Sequence, residues 1–356
     1  VKFVFGGGGT GGHVVPALAL ADELTARRHA CSFIGNDGSV EARLCSANGY
    51  HLDIIKVQKL YRSLTRENLL FPYYLARSMF QSVQLLKQIR PEAVICTGGF
   101  VAGPVALAAS MLKIPLFFHE SNSYPGLVTR FMARKITRIY ISFASTRNYL
   151  PKARLEHLGI PLKKKTPGEF ELSRVGLNDS LPTILISGGS QGSVAINNVV
   201  DKALPEIIRQ GYQLLWQSGA TSYEQYATKH QNTPGVYIFA FSPDLPQMQN
   251  KAIFAITRAG AMTIAELEQN KVPAILIPLP TAAGNHQYFN AIEQQNKGIA
   301  ILLPQNLLSP ASLLEAIARM QTELSKYKDN LAKLPPNTAS TRIVDSILDQ
   351  LTPLSK

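Results

Sequence analysis

The chain has 356 residues, 46% hydrophobic and 17% charged, enough for two domains with separate cores. No apolar run approaches the ~18 residues that span a bilayer, and three cysteines (Cys31, Cys45, Cys96) without metal spacing suit buried, reduced thiols rather than disulfide or zinc chemistry. The net charge of +12 is one-sided: residues 1–170 carry 22 Lys and Arg against 10 Asp and Glu, whereas residues 171–356 carry 14 of each. That bias points to an anionic surface or partner, and the lack of a reader motif or aromatic ladder argues against nucleic acid.

In chain order, residues 1–9 read as a first strand rather than a leader. KFVFG (2–6) predicts a strand, GGGGTGG (6–12) a bare turn, and residues 13–28 a helix ending in basic residues. HACSFIG (29–35) predicts a strand and SVEARLCSANG (39–49) a helix closed by glycine. Strand AVICTGG (93–99), helix GPVALAASMLKI and strand PLFFHES (115–121) follow. This alternation implies a mostly parallel sheet covered on both faces, with right-handed connections.

The stretch 157–182 is polar, basic and Pro/Gly-bearing, and predicts a linker over 161–182. The alternation then restarts with TILISGGSQG (183–192), helix VAINNVVDKALPEII, and strands in YQLLWQSG, VYIFAF, AIFAITRAG and VPAILIPLP, the last two split by helix MTIAELEQNK (262–271). The expected fold class is α/β: two Rossmann-like domains, 1–160 and 183–337, with mostly parallel sheets facing across a deep cleft at their C-terminal strand edges. Residues 338–356 supply a C-terminal helix, expected to pack back toward the first domain.

Three glycine turns follow strands and open helices: GGGGTGG, TGGFVAGP (97–104) and GGSQG (188–192). Helix-start amides bind anions. The first turn matches G-x-G-x-x-G formally, and Asp37 could serve as the acid of a nicotinamide site. Close approach of two backbones, a bulky ligand and a phosphate all remain open for it. GGSQG lacks the lysine of a P-loop and favours a ligand phosphate. His13 stands where a helix start favours a neutral imidazole, the form a base requires; a capping or packing role is the alternative. His119, Glu120, Ser121 and Asn122 close an apolar strand at the ligand-binding edge. In the second half Arg258 and Gly260 close a strand, Glu266 lies in the following helix, and His286, Gln287 and Asn290 share one side of a helix start, suited to a polyhydroxy ligand. No metal-ligand spacing is present.

Residues 60–90 combine Leu69, Phe71, Tyr73, Tyr74, Leu75 and Phe80 with a basic ring that includes Arg66 and Arg77. Such a composition predicts an interfacial membrane contact, with an internal helix–helix contact as the alternative.

Taken together and in order, GGGGTGGHVVPALALADEL, TGGFVAGP, HESN, GGSQGSVAIN, WQSG, TRAGAMTIAE and GNHQYFNA resemble the motifs of the MurG family over essentially the full length. The resemblance implies a two-domain GT-B fold and inverting transfer of GlcNAc from UDP-GlcNAc to the C4 hydroxyl of MurNAc in lipid I, giving lipid II. It implies a donor site in the second domain: Phe241 and Ser242 at the uracil, Glu266 on the ribose hydroxyls, Ser190, Gln191 and Arg258 at the pyrophosphate, Ala261, Met262 and Thr263 in the turn facing the phosphates, and Gln287 and Asn290 on the sugar. From the first domain, Thr10, Gly11, Gly12 and Asn122 join the donor sugar, and Gly9, Thr10, His13, Gly98 and Gly99 receive the acceptor. His13 is the implied base, Glu120 a second group able to share that role, and Arg258 the group meeting the leaving charge.

Lys163 also falls in the donor set, but GIPLK (159–163) replaces the family's G-N-P-V-R, and lysine lacks the guanidinium fork. No tightly bound cofactor or metal is implied, a divalent cation being an optional aid to the diphosphate. The implied location is the cytoplasmic side of the bacterial cytoplasmic membrane, peripherally bound, with an anionic lipid surface and other cell-wall synthesis and division proteins as partners. Rival readings are a GT-B transferase with another lipid or aglycone acceptor, and a nicotinamide-binding protein.

Overall fold

The computed structural model describes residues 1–58, 69–163, 168–189 and 191–352. The chain divides into two compact units, one formed by Val1–Lys164 with Asn337–Lys356 and the other by Lys165–Pro336. Leu172 and Leu177, inside the stretch expected to be a linker, are buried in the core of the second unit.

The first unit holds strands β1 (Lys2–Gly7), β2 (Ala30–Gly35), β3 (Leu52–Ile54), β4 (Ala93–Gly98), β5 (Leu116–Glu120), β6 (Arg138–Ile141) and β7 (Leu155–His157). They form a parallel sheet in the order β3-β2-β1-β4-β5-β6-β7. Its helices are α1 (Gly11–Ala26), α2 (Val40–Ala47), α3 (Phe71–Ile89), α4 (Ala102–Met111) and α5 (Leu127–Met132). The second unit holds β8 (Thr183–Ser187), β9 (Gln213–Gln217), β10 (Val236–Phe239), β11 (Phe254–Thr257), β12 (Ala274–Leu276) and β13 (Ala300–Leu302), parallel in the order β10-β9-β8-β11-β12-β13. Its helices are α6 (Val194–Arg209), α7 (Tyr223–Lys229), α8 (Leu245–Gln249), α9 (Ala261–Gln269), α10 (His286–Asn296), α11 (Pro310–Thr322) and α12 (Leu324–Ala332). Helix α13 (Ala339–Leu351) belongs to the first unit.

Strand periodicity explains the layering. Phe3 and Phe5 of β1 enter one core with Leu18, Leu24 and Ile343, while Val4 enters the opposite core with Val105 and Phe118. Ile184 and Ile186 of β8 pack with Trp216 and Ile317, and Leu185 with Leu267 and Phe239. Both faces of both sheets are covered, so the strands read as continuous apolar runs. On the first sheet α13 closes one face: Ile343, Val344 and Ile347 are fully buried, Arg27 pairs with Asp345, and Tyr140 and Glu156 both hydrogen-bond to Ser346.

Candidate active site

In the first unit the informative residues gather where β1, β4 and β5 end. Helix α1 starts at Gly11, two residues before the expected start, because Thr10 already has extended N-cap geometry and its carbonyl accepts the His13 and Val14 amides. His13 is therefore the third helical residue. Its Nδ1 lies 2.9 Å from the Thr97 carbonyl oxygen, and Thr97 Oγ1 donates to the His13 carbonyl at 2.7 Å. A carbonyl only accepts, so Nδ1 carries a proton, and in the neutral ring the lone pair sits on Nε2.

The bareness of the turn has a local cause. The Gly8 amide donates to Gly98 O, a Cβ at Gly99 would lie 2.0 Å from the Gly8 oxygen, and one at Gly98 would lie 2.8 Å from His13 Nδ1. Both Gly98 and Gly99 have positive φ. Close approach of two backbones thus accounts for these glycines without a ligand. The Gly9 amide donates to the carboxylate of Glu41, a residue the sequence reading did not single out.

Glu120 is 5% exposed, and its carboxylate accepts the amides of Asn122 and Gly126 and the Thr129 hydroxyl. Burial pushes its carboxyl up, and those hydrogen bonds oppose the shift. This geometry fits a carboxylate that holds the 121–129 loop better than one that takes a substrate proton. His119 is buried too. Its Nε2 is 3.1 Å from both Gly159 O and Ser142 Oγ, and burial lowers its pKa to about 4, so it is neutral and ties the strand end to GIPLK. Thr10 is exposed and Asn122 half-buried. The Lys163 ammonium is directed to Asn48 and Asp22, both of the first unit.

In the second unit the corresponding residues surround the ends of β8 and β11. Ser190 lies outside the described residues; Gln191 beside it is exposed. Ser193 caps α6 by accepting the Ile196 amide. The Arg258 guanidinium, 9% exposed, donates to Ser193 Oγ at 2.7 Å, Gln305 Oε1 at 2.6 Å, and the carbonyls of Ile277 and Pro278. Arg258 is thus a brace for the glycine turn rather than an open fork. No carboxylate pairs with it among the described residues, so its charge stands uncompensated beside the α6 N-terminus, and burial lowers its pKa. Ser193 was not singled out from the sequence, although its place between GGSQG and an apolar helical run is the signal of an N-cap; its bond to Arg258 leaves no such signal.

Burial pushes the Glu266 carboxyl up to about 7, with only a 3.5 Å hydrogen bond from Gln249 opposing it. Ala261, Met262 and Thr263 form the first turn of α9, whose amides lack intrahelical acceptors. Phe241 is 62% exposed, and Ser242 Oγ accepts the Asp244 amide. Gln287 Oε1 accepts the Leu279 amide, while Asn290 is fully buried and donates to Ala259 O. Of the expected pair of sugar-reading amides, Asn290 is the one withdrawn into the fold. His286 is half-buried, and its Nδ1 lies 2.8 Å from Ala283 O.

Two parallel sheets with glycine turns and helix N-termini at their strand ends are the architecture of the GT-B fold class, and the family matches make the chain a glycosyltransferase. Residues 3–141 match the glycosyltransferase family 28 N-terminal domain and residues 183–347 its C-terminal domain. A relative from Listeria monocytogenes serotype 4a (strain HCC23) is 33% identical over 98% of this chain and 99% of its own. One from Lactococcus lactis subsp. cremoris (strain MG1363) is 31% identical over 92% and 93%. Both are called UDP-N-acetylglucosamine–N-acetylmuramyl-(pentapeptide) pyrophosphoryl-undecaprenol N-acetylglucosamine transferase. The crystal structure of Acinetobacter baumannii MurG superposes with a TM-score of 0.76 at 25% identity, covering 98% of this chain and 99% of that one. The kitacinnamycin glycosyltransferase, at 16% identity and TM-score 0.72 over 99% of each chain, shares the fold. The chain belongs to glycosyltransferase family 28 and, within it, to the MurG family of N-acetylglucosamine transferases.

Proposed function

We propose that this protein transfers GlcNAc from UDP-GlcNAc to the C4 hydroxyl of MurNAc in lipid I, with inversion, to give lipid II. The full-length kinship supports the substrates. The observation that carries the chemistry is the fixed His13 tautomer, with Nδ1–H donated to Thr97 O and the lone pair on Nε2. In the step, the acceptor O4 attacks the anomeric carbon, its proton passes to His13 Nε2, and the C1–O bond to phosphate breaks with the electron pair leaving on UDP. Preorganised donors at the leaving diphosphate stabilise that charge: the amides opening α6 and α9, and the uncompensated Arg258 charge held behind Ser193. Glu266 accepts the ribose hydroxyls, Phe241 lies against the base, Gln191 approaches the pyrophosphate, and Gln287 reads the sugar. A divalent cation can assist the diphosphate without a protein-built site.

We also place the protein peripherally on the cytoplasmic face of the bacterial cytoplasmic membrane. Among the described residues no helix is long and apolar enough to cross a membrane. Leu69, Tyr73 and Phe80 at and along α3 are 80%, 60% and 62% exposed, with Arg77 also exposed; Phe71, Tyr74 and Leu75 are half-buried, and Arg66 lies outside the described residues. A second feature supports the same reading. Residues 121–155 hold seven Lys and Arg and no acid. Leu127 and Phe131 on α5 are exposed, and a cavity of about 480 Å³ is lined by Arg134, Lys135, Lys152 and Arg154. Apolar anchors beside clustered cations suit an anionic lipid surface. Incubation with UDP-GlcNAc and a lipid I analogue, with product mass measured, tests the reaction. Failure to transfer to that acceptor would overturn it.

A further inference from the structure

Glu41 lies in the first turn of α2, is fully buried, and takes no part in the chemistry above. Its Oε2 accepts the Gly9 amide at 2.9 Å and its Oε1 accepts the Asn36 amide at 3.2 Å. A Cβ at Gly8 would lie 2.6 Å from Glu41 Cδ, and one at Gly35 would lie 2.7 Å from Cγ. The two glycines make the space this side chain fills. Among the described residues no Lys, Arg or His pairs with it. A buried carboxylate without a cation is costly, and here the offset comes from two amide donors and the positive end of α2. One side chain thus ties together the turn after β1, the end of β2 and the start of α2.

We propose that Glu41 is a positioning residue for the transfer reaction; this rests on reading the β1–β4 strand ends as the acceptor side. Its carboxylate fixes the Gly8–Gly9 backbone. Gly8 in turn donates to Gly98 O, and the 97–99 segment holds His13 through Thr97. The chain of contacts runs from Glu41 through the glycine turn to the proposed base. It also decides which amides meet the substrate. Gly9 spends its N–H inside the protein over a negative group, so a substrate phosphate is directed to the start of α1, at Gly11 and Gly12. A dinucleotide pyrophosphate seated over the turn would meet the same buried charge, which disfavours the nicotinamide reading.

A glutamine at position 41 has the same shape but only one acceptor atom, so its NH2 opposes one of the two amides. Glu41→Gln is therefore expected to lower kcat at least about tenfold, while UDP affinity, set by the second unit, stays within about twofold. In ¹⁵N-glycine-labelled protein the Gly9 amide proton, bonded to a carboxylate, is expected far downfield in the parent and upfield in Glu41→Gln. Glu41→Asp keeps the charge on a shorter arm and is expected to recover part of kcat, which a pure packing role does not predict. If Glu41→Gln folds poorly, Glu41→Asp against Glu41→Ala decides at low temperature. A parent that transfers GlcNAc, with a folded Glu41→Gln variant that turns over within about twofold of it, would overturn the role of Glu41. A parent that transfers nothing to the lipid I analogue would instead overturn the reaction assigned above, and the Gly9 resonance would still report the contact.

Discussion

His13 and Thr97 grip each other twice: Nδ1 of the imidazole meets the Thr97 carbonyl at 2.9 Å, and the Thr97 hydroxyl meets the His13 carbonyl at 2.7 Å. The pairing fixes both the ring and the helix start that carries it. A positioned general base contributes roughly 10²–10⁴-fold in rate. His13→Ala is expected to lose turnover by that order with UDP affinity unchanged. Thr97→Val, which removes only the hydroxyl, should lose less. Rate–pH profiles and melting temperatures of parent and variants check this. Near-parental kcat in His13→Ala with the same acidic limb would end the base assignment.

Arg258 makes four hydrogen bonds within the second unit. Arg258→Lys keeps a charge but loses the fork that reaches Ser193, Gln305 and two carbonyls at once. The expected result is a loss of about 1–3 kcal/mol in stability together with weaker UDP binding. Calorimetry of unfolding and of UDP binding measures both. An unchanged melting temperature with weakened binding would return Arg258 to a direct ligand role.

Glu266, raised to about 7 by burial, makes donor binding pH-dependent. Ribose hydroxyls donate to the carboxylate, so binding draws on the ionised form and affinity should fall as pH drops below about 7. The ligand-free protein shows the opposite linkage. Its folded-state pKa exceeds the unfolded value of about 4.3, so the native state binds more protons and this group's contribution to stability declines as pH rises through that window to about 7. UDP titrations of parent and Glu266→Gln across this range separate the residue from the diphosphate's own ionisation. Parallel profiles for the two proteins would remove the assignment.

Much of this architecture is legible in the sequence, and the failures have physical causes. The glycine-bounded apolar runs announced β1, β4, β5, β8, β9 and β11. Strands β3 (LDI), β6 (RIYI), β7 (LEH) and β13 (AIL) have only three or four residues, too few for periodicity to distinguish from a loop or a buried helical turn; β11 and β12 are as short but sit inside longer apolar runs that were read as strands. His13, Glu120 and Arg258 were visible as polar groups at apolar strand and helix ends, and Glu266 as an acid within the helix that follows Arg258. What they bond to was not: the Arg258–Ser193 contact spans 65 positions and His13–Thr97 spans 84, and a single sequence carries no signal for such pairs. Glu41 was hidden because an acid in the first turn of a short helix reads as an ordinary solvent-facing residue.

Helix α13 was legible as a helix expected to pack toward the first domain, but which of its residues enter the core was not. With Ile347 fully buried against the first unit, Ile347→Ala is expected to cost about 2–5 kcal/mol. Denaturant unfolding measures it, and a loss below about 1 kcal/mol would mean that α13 is not part of the first unit's core.

Tyr73 and Phe80, the most exposed aromatics of α3, are the better probes of membrane contact than the half-buried Phe71 and Leu75. A Tyr73→Ser, Phe80→Ser double variant should stay folded and lose a few kcal/mol at most of vesicle affinity, at ~25 cal/mol per Å² of apolar area. Co-sedimentation with anionic vesicles reads this out. A folded variant that pellets like the parent would move the contact to the surface around Phe131 and the Arg134–Arg154 cavity.

Transfer of one sugar to lipid I tests the central claim most directly. Purified protein, UDP-GlcNAc and a lipid I analogue are combined and the acceptor is weighed by mass spectrometry, with His13→Ala run alongside. The predicted result is acceptor heavier by one N-acetylhexosamine residue, UDP released in equal amount, and little of either from the variant. An acceptor of unchanged mass in the presence of folded, UDP-binding parent protein would contradict it.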